Sequence, residues 1–124
     1  MAKKILLVDD DEDLLQTTKF FLEHRKYDVI LARNGVEAIK MAKQKNPDVI
    51  LLDIMMPVMD GFAACRKLKK GKATKKIPIV MLTVKGARVD VLLAMSAHAD
   101  AYFVKPVNLD EVLERINELL KAAS

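Results

Sequence analysis

The sequence is poor in the residues that define several special classes of protein. Among its 124 residues it has one cysteine, four glycines, four prolines and no tryptophan. The single cysteine, Cys65, has no partner for an internal disulfide, which excludes a disulfide-stabilised domain. The composition lacks a low-complexity stretch and excludes fibrous and disordered chains. The chain is therefore expected to fold around an ordinary hydrophobic core.

Long apolar runs are also missing from the chain. No run approaches the roughly 20 residues that span a bilayer. The first ten residues, MAKKILLVDD, lack the long apolar region of a secretory signal, so we expect a cytoplasmic protein without a membrane partner. With 124 residues the chain is long enough to bury a core, and 52% of its residues are hydrophobic. We predict one domain over residues 1–124.

One segment carries most of the excess positive charge. The net charge is +4, and the segment RKLKKGKATKK spans residues 66–76. It has no aromatic residue to stack on a base, and Gly71 and the Ala73–Thr74 pair disfavour a helix. We expect a frayed helix end with a solvated lysine surface and no direct contact with nucleic acid.

Short apolar runs alternate with helix-length segments along the chain. This alternation is typical of a parallel β-sheet covered on both faces by helices, an α/β doubly wound fold. The five expected strands are Lys4–Val8, Asp28–Ala32, Val49–Asp53, Ile79–Thr83 and Ala101–Val104. The pattern predicts a five-stranded sheet with a helix after each strand.

Five helical segments follow from apolar spacing and from capping residues. We expect a first helix around the apolar stripe Leu14–Leu22, a second at about Gly35–Lys45, a third from about Gly61 to Gly71, a fourth at about Ala87–Ala97, and a fifth after Asn108. The second must end before Asn46–Pro47, because a residue that precedes proline leaves the helical region. Asn108 and Glu111 have the spacing of a capping box.

Polar side chains stand at the carboxyl ends of the expected strands. The first strand is followed by Asp9 and Asp10, the third ends in Asp53, the fourth in Thr83, and Lys105 follows the fifth. Ligands of open parallel sheets bind at these ends, where the winding reverses. If the strand order is 2-1-3-4-5, strands one and three flank that point. The acids are then expected to meet there.

Three facing carboxylates require a strong positive charge opposite them. They repel one another, and one lysine does not balance them. A divalent cation does, and a set of oxygen ligands favours a hard ion, of which Mg²⁺ tolerates few protein ligands. Zinc is not expected, because no histidine or cysteine falls near the strand ends. Next to a bound cation a carboxylate can attack phosphorus, with a hydroxyl and an ammonium beside it.

Four motifs carry a resemblance to a known family. ILLVDDDEDLL, LLDIMMPVMDG, IVMLT and YFVKP occur in the order and spacing of bacterial response-regulator receiver domains, the CheY-like superfamily of two-component signalling. The resemblance covers essentially the whole chain and implies the flavodoxin-like strand order 2-1-3-4-5. It implies that Asp53 is the phosphoacceptor. It also implies that Mg²⁺ is held by Asp9, Asp10, Asp53 and the backbone carbonyl of Met55.

The same resemblance gives roles to the last two strands. Thr83 would hydrogen-bond the phosphoryl group and Lys105 would pair with one of its oxygens. Thr83 and Tyr102 would form the switch pair, and the Lys105–Pro106 peptide bond would be cis. Two positions depart from the family pattern. Val84 replaces a smaller residue and is expected to narrow access to Asp53, and His98 stands where glycine is common.

The resemblance implies a signalling switch rather than an enzyme, with only Mg²⁺-dependent self-phosphorylation and dephosphorylation. The phosphoryl donor would be a sensor histidine kinase or a histidine phosphotransfer protein. The response would act on an unknown downstream protein, with the chain as a monomer or a phosphorylation-dependent dimer. Two alternatives stay open, a receiver excised from a larger regulator with an output domain and a non-phosphorylated pseudo-receiver that acts as an interaction module.

Two rivals from other classes fit the sequence less well. A flavin-binding electron carrier would need a hydroxyl-rich phosphate loop after the first strand, where this chain has DDDED. A phosphohydrolase with an aspartate nucleophile would need an acid two residues after Asp53, where this chain has Met55.

Overall fold

The computed structural model describes residues 2–53, 59–84 and 95–123, with the side chains of Thr83 and Val84 outside the description. Five strands form one parallel sheet in the order β2-β1-β3-β4-β5. They are β1 (Lys4–Val8), β2 (Asp28–Ala32), β3 (Val49–Asp53), β4 (Ile79–Val84) and β5 (Ala101–Lys105). The predicted strands and the order 2-1-3-4-5 are confirmed, with β4 and β5 each one residue longer than expected.

Four helices lie within the described ranges. They are α1 (Glu12–His24), α2 (Gly35–Lys45), α3 (Gly61–Lys70) and α4 (Leu109–Ala123). The predicted helix at about Ala87–Ala97 falls mainly on residues 85–94, which lie outside the described residues. None of the described helices combines the length and the apolar character that crossing a membrane would require.

Each described helix begins after an Asp or Asn whose side chain accepts backbone N–H bonds. Asp11 accepts from Leu14 N, and Asn34 and Asp60 cap α2 and α3 in the same way. Asn108 accepts from the backbone N–H groups of the two residues that follow Leu109. Such caps stabilise a helix by about 1 kcal/mol each, so they fix where the helices start relative to the strand ends.

The core has two layers, one on each face of the sheet. Alternate residues of β1 and β3 point to opposite faces, as the two-residue period of a strand requires. Leu6 and Ile50 pack on the side of α2 and α3, and Ile5 and Leu51 pack on the other side. Burying such a side chain stabilises the fold by about 1.5–3 kcal/mol, so β3, which is buried throughout, is the centre of the core.

The turn before β5 has one strained residue. His98 has a φ of 64°, in the left-handed region. Glycine adopts this conformation without steric cost, whereas a residue with a β-carbon is destabilised by about 1–2 kcal/mol. The loop therefore keeps the backbone expected of a glycine at this position, and the histidine bears the strain.

The segment after α3 differs from the expectation of a frayed end. α3 continues to Lys70, and a series of hydrogen-bonded turns follows it. The hydroxyl of Thr74, which is buried, donates to Leu68 O at 2.6 Å, and Lys75 N donates to Gly71 O at 2.8 Å. The expectation failed because the hydroxyl of the buried Thr74 ties the turns back to the end of α3, a contact that helix propensity does not reveal.

Candidate functional site

Two buried carboxylates lie side by side at the carboxyl edge of the sheet. Asp53 is the last residue of β3, and Asp9 directly follows β1. The strands β1 and β3 are hydrogen-bonded neighbours in the sheet. Their exposed fractions are only 3% and 5%. Asp10 is exposed at the same edge, and one carboxylate oxygen from each of the three acids lies within 4.8 Å of the others. The structure thus brings together the three acids on which the predicted metal site depends.

Lys105 supplies a positive charge to this cluster from β5, an edge strand of the sheet. Its Nζ donates a hydrogen bond to Asp53 Oδ1 at 3.0 Å and lies 3.6 Å from Asp9 Oδ2. β4 stands between β5 and β3, so the side chains of Lys105 and Asp53, together with the hydrogen bond between them, span two strand spacings of about 4.8 Å each. A lysine at the end of β5 has the length for this reach, whereas a shorter side chain would not touch Asp53.

The electrostatics of the cluster favour additional positive charge. Burial raises the pKa of the Asp53 carboxyl, repulsion from Asp9 raises it further, and Lys105 opposes both effects. Burial would lower the pKa of the Lys105 ammonium, but the hydrogen bond to Asp53 and the charge of Asp9 raise it overall. Within the described residues, one cation therefore faces three carboxylates, two of them buried.

The donor set fits a hard divalent cation. It consists of carboxylate oxygens, and Asp11 N donates to Asp9 Oδ1 at 3.0 Å, which fixes the orientation of that carboxylate. Mg²⁺ prefers such oxygen ligands and few of them. The predicted fourth ligand, the carbonyl of Met55, lies outside the described residues.

The structure places the remaining predicted residues on β4 and β5. Thr83 lies in β4, between the strands that carry Asp53 and Lys105, and its side chain is not described. Tyr102 lies in β5 and packs against the core on the side of α2 and α3. Its hydroxyl is buried and has no hydrogen-bond partner within the described part of the chain. The Lys105–Pro106 peptide bond is cis, the isomer that the resemblance implied.

Sequence reasoning missed a clamp beside residues 9–11, the segment between β1 and α1 that we call the acidic loop. Arg33, just after β2, forms two hydrogen bonds of 3.0 Å to the carboxylate of Glu12 in the first turn of α1. Its guanidinium also lies 3.8 Å from Glu37. The hydrogen bonds lower the pKa of the exposed Glu12 carboxyl. No local sequence pattern predicts this pairing, because the two residues are 21 positions apart. They come together only because β1 and β2 are neighbours in the sheet.

An apolar groove of about 620 Å³ opens next to the carboxylates. Leu14, Thr17 and Thr18 of α1 form one wall, and Pro106, Val107 and Leu109 form the other, with Asp9 and Lys105 also lining it. Leu14 is 39% exposed, although it is a large apolar residue on a helix. The site therefore has a hydrophobic surface directly beside its charged centre.

The fold and the site together define a class, a doubly wound α/β domain with an acidic, lysine-bridged centre at the carboxyl edge of its sheet. Comparison with known proteins shows to which family within that class the chain belongs. The chain belongs to the response regulator receiver domain family, which residues 5–117 match. Receiver domains are phosphoacceptor signalling domains of two-component systems.

Individual relatives agree with this assignment. The chain is 41% identical over 121 residues to the alkaline phosphatase synthesis transcriptional regulatory protein PhoP of Bacillus subtilis, covering 98% of this chain and 50% of that protein. It thus spans about half the length of the curated relatives that it matches.

Solved structures show the same fold. The receiver domain of a signal transduction histidine kinase from Syntrophus aciditrophicus has a TM-score of 0.91 at 33% identity, over 98% of this chain and 92% of that one. The receiver domain of a sensor histidine kinase from Pseudomonas aeruginosa has a TM-score of 0.90 at 26% identity, over 98% and 99%. That structure holds a magnesium ion coordinated in its active site cleft.

Proposed function

We propose that the chain is a phosphorylation-controlled signalling switch whose phosphoacceptor is Asp53. The observation that carries the proposal is the environment of this one carboxylate. It is 3% exposed at the end of the central strand, within hydrogen-bond distance of Lys105, and clustered with Asp9 and Asp10. Most carboxylates that serve only solubility are exposed, so its burial among other acids points to chemistry.

Asp53 would act as a nucleophile. One of its carboxylate oxygens attacks the phosphorus of a phosphohistidine, an O–P bond forms, and the N–P bond breaks to leave an imidazole that takes up a proton. Burial and the repulsion from Asp9 destabilise the free carboxylate, which makes it a better nucleophile. Lys105 would neutralise a phosphoryl oxygen, and the hydroxyl of Thr83 would donate a hydrogen bond to another.

Asp9, Asp10, Asp53 and the carbonyl of Met55 would hold Mg²⁺. When bound, the ion neutralises the charge that accumulates on the phosphoryl oxygens and offsets the repulsion among the acids. The Asp11 N–H bond to Asp9 and the Arg33 clamp on Glu12 would keep the acidic loop in place for it.

The donor would be a sensor histidine kinase or a histidine phosphotransfer protein. Its histidine must reach Asp53, so the donor must cover the surface around the carboxylates. The apolar groove between α1 and residues 106–109 supplies hydrophobic area there, next to Asp9 and Lys105. A helix that presents its histidine at the mouth of the groove would bury Leu14 on docking.

The response would pass through β4 and β5. Tyr102 supports this proposal, because its buried hydroxyl has no hydrogen-bond partner among the described residues. A buried hydroxyl in that state is destabilised by about 1–3 kcal/mol, so it would gain from a second position that offers a partner. Phosphorylation that draws Thr83 toward Asp53 would change the relative free energies of the two positions of Tyr102. It would thereby remodel the surface for a downstream protein. The chain spans about half the length of PhoP, a transcriptional regulatory protein, which supports the alternative of a receiver excised from a larger regulator with an output domain.

The test is the intact mass of the protein after incubation with Mg²⁺ and acetyl phosphate. We expect one added phosphoryl group in the wild type and none in Asp53→Asn or without Mg²⁺. Asp110→Asn, an exposed acid on α4, is the matched control and should be labelled like the wild type. Equal labelling of Asp53→Asn would exclude Asp53 as the acceptor, and no labelling of any form would favour the pseudo-receiver.

A further inference from the structure

Six exposed cations cluster at the end of α3 and in the turns that follow it. We call this surface the basic platform, and it consists of Arg66, Lys67, Lys70, Lys72, Lys75 and Lys76. The segment 66–76 contains seven of the chain's 21 Lys and Arg residues and no acid. The rest of the chain, with 14 cations against 17 acids, is net negative. The positive net charge of the protein is therefore a property of this one surface.

The platform is not neutralised by the residues that the structure describes. None of its six side chains forms an ion pair with any other residue in the described part of the chain. The seventh cation, Lys69, is the exception, because it lies 2.6 Å from Asp100 Oδ2 and donates to Ile77 O. Asp48 is an acid at the same end of the sheet, but its carboxylate already accepts a hydrogen bond from Lys4 N at 2.7 Å.

The platform is also ordered, which a purely solubilising lysine tract need not be. Thr74 is buried and tied to Leu68 O, and Ile77 N donates to Thr74 O at 3.0 Å. Gly71 allows the tight turn, because a β-carbon there would lie 2.6 Å from the hydroxyl of Thr74. The backbone that carries the six like charges is thus held in one arrangement, whose charges repel one another and which a polyanion would stabilise.

We infer that the basic platform binds the phosphate backbone of double-stranded nucleic acid without sequence preference. The chemistry of the surface selects this ligand among polyanions. Binding of duplex phosphates needs only cations, because release of condensed counterions supplies the free energy. Lysine presents a point charge to a phosphate and requires no planar partner.

Other polyanions would need features that the platform lacks. Protein interfaces rely on buried aromatic or other large anchors, and membrane-surface helices insert apolar side chains. The exposed large apolar residues of the described chain all lie elsewhere, at Leu14, Phe20, Val36, Met95 and Val104. Single strands are bound by stacking on aromatic rings, which the segment does not contain. The sequence alone favoured a solvated surface for two reasons, the lack of an aromatic residue to stack on a base and the prediction of a frayed segment. The ordered turns remove the second reason, and the first does not apply to the phosphates of a duplex.

The platform and the phosphoacceptor site occupy opposite ends of the sheet. Lys76 precedes β4 at the amino ends of the strands, whereas Asp53 ends β3. A strand of five residues separates the two ends by about 16 Å. Binding at the platform therefore leaves Asp53 accessible, and the inference stands independently of the proposed function.

The test measures fluorescence anisotropy of labelled random-sequence DNA and RNA duplexes at low salt. We expect the triple variant Lys70→Gln, Lys72→Gln and Lys75→Gln to bind at least about tenfold more weakly than the wild type, with a salt slope smaller by about 0.9 for each phosphate that the variant no longer neutralises. The control triple variant Lys26→Gln, Lys40→Gln and Lys43→Gln removes the same charge from other exposed lysines and should bind nearly as the wild type does.

Three outcomes would overturn the inference. Equal weakening of both triple variants would mean that net charge alone governs binding. Tighter binding of the matching single strand would point to base contacts. Comparable binding of poly-glutamate or of phosphatidylserine vesicles would mean that the platform is a general acidic-surface site. In every case the acetyl phosphate reaction of the platform variant should equal that of the wild type, so failure here does not touch the proposed function.

Discussion

The ammonium of Lys105 and the carboxylate of Asp53 are hydrogen-bonded at 3.0 Å across an intervening strand. The same ammonium lies 3.6 Å from Asp9, so one cation is shared between two buried carboxylates, with Asp10 beside them. This arrangement leaves negative charge in excess at a place where its desolvation is costly. The site is thus less stable alone than with an additional positive charge, which is the property a magnesium-dependent phosphoacceptor requires.

The first prediction concerns that excess charge. Asp53→Asn removes one buried charge but keeps an oxygen for Lys105, so without Mg²⁺ it should raise the free energy of unfolding by about 1 kcal/mol. Mg²⁺ at tenfold its dissociation constant should stabilise the wild type by about 1.4 kcal/mol and the variant much less. Urea unfolding with and without Mg²⁺ measures both effects.

Asp110→Asn serves as the control for this experiment, because Asp110 forms only an exposed ion pair with Arg25. It should lower stability slightly and leave the response to Mg²⁺ unchanged. A wild type that Mg²⁺ does not stabilise would contradict the assignment of the three acids as metal ligands.

The second prediction concerns the junction of α3, β4 and β5. Asp100 Oδ2 lies 2.6 Å from Lys69 Nζ and accepts from Ile79 N at 2.8 Å, while Asp100 N donates to Ile79 O. Asp100→Ala would leave the strand N–H of Ile79 without its acceptor and the part-buried Lys69 ammonium without its counter-charge, with only Ile77 O to accept from it, so we expect a loss of about 2–3 kcal/mol. Asp110→Ala should lose under about 1 kcal/mol, since its ion pair is exposed.

Thermal or urea unfolding of the two alanine variants measures the difference. Similar losses would show that the Asp100 network contributes no more than a surface ion pair. A selective loss at Asp100 would show that this network, and not helix propensity, holds the end of α3 in place.

The third prediction concerns the strained turn. His98→Gly relieves the positive φ of 64° and should stabilise the fold by up to about 1 kcal/mol, after the larger backbone entropy of glycine in the unfolded chain is subtracted. His98→Ala keeps the strain and removes only an exposed imidazole, so its stability should stay close to that of the wild type. If alanine stabilised as much as glycine, the side chain rather than the backbone would be the source of strain.

Whether a feature could be predicted from the sequence depends on whether the residues that determine it are adjacent in the chain. The strands and the acids at their ends were found because apolar runs and the residues that terminate them are adjacent in sequence. The parallel topology then brought Asp9, Asp53 and Lys105 to one edge. In contrast, the Arg33–Glu12 clamp depends on side chains that meet only after the sheet has formed. The bond from Thr74 to Leu68 O is local, but it depends on the burial of a polar residue, which apolar spacing does not indicate. The hydroxyl of Tyr102, which has no hydrogen-bond partner among the described residues, is likewise a result of packing in the folded chain.

The last prediction concerns Cys65, which is fully buried and donates its thiol proton to Ala97 O at 3.3 Å. Burial raises the pKa of the thiol from 9.0 to about 11. Between those two values the thiol ionises in the unfolded chain and stays protonated in the folded one, so the folded state binds more protons and stability falls as pH rises. Cys65→Ala lacks this effect, so the stability of the wild type relative to the variant should be constant below pH 9.0 and should then decrease by up to about 1.4 kcal/mol per pH unit. Urea unfolding of both proteins across this pH range isolates the contribution of the thiol to stability, because all other titrating groups are shared. Parallel curves of stability against pH would mean that Cys65 is solvated in the folded state.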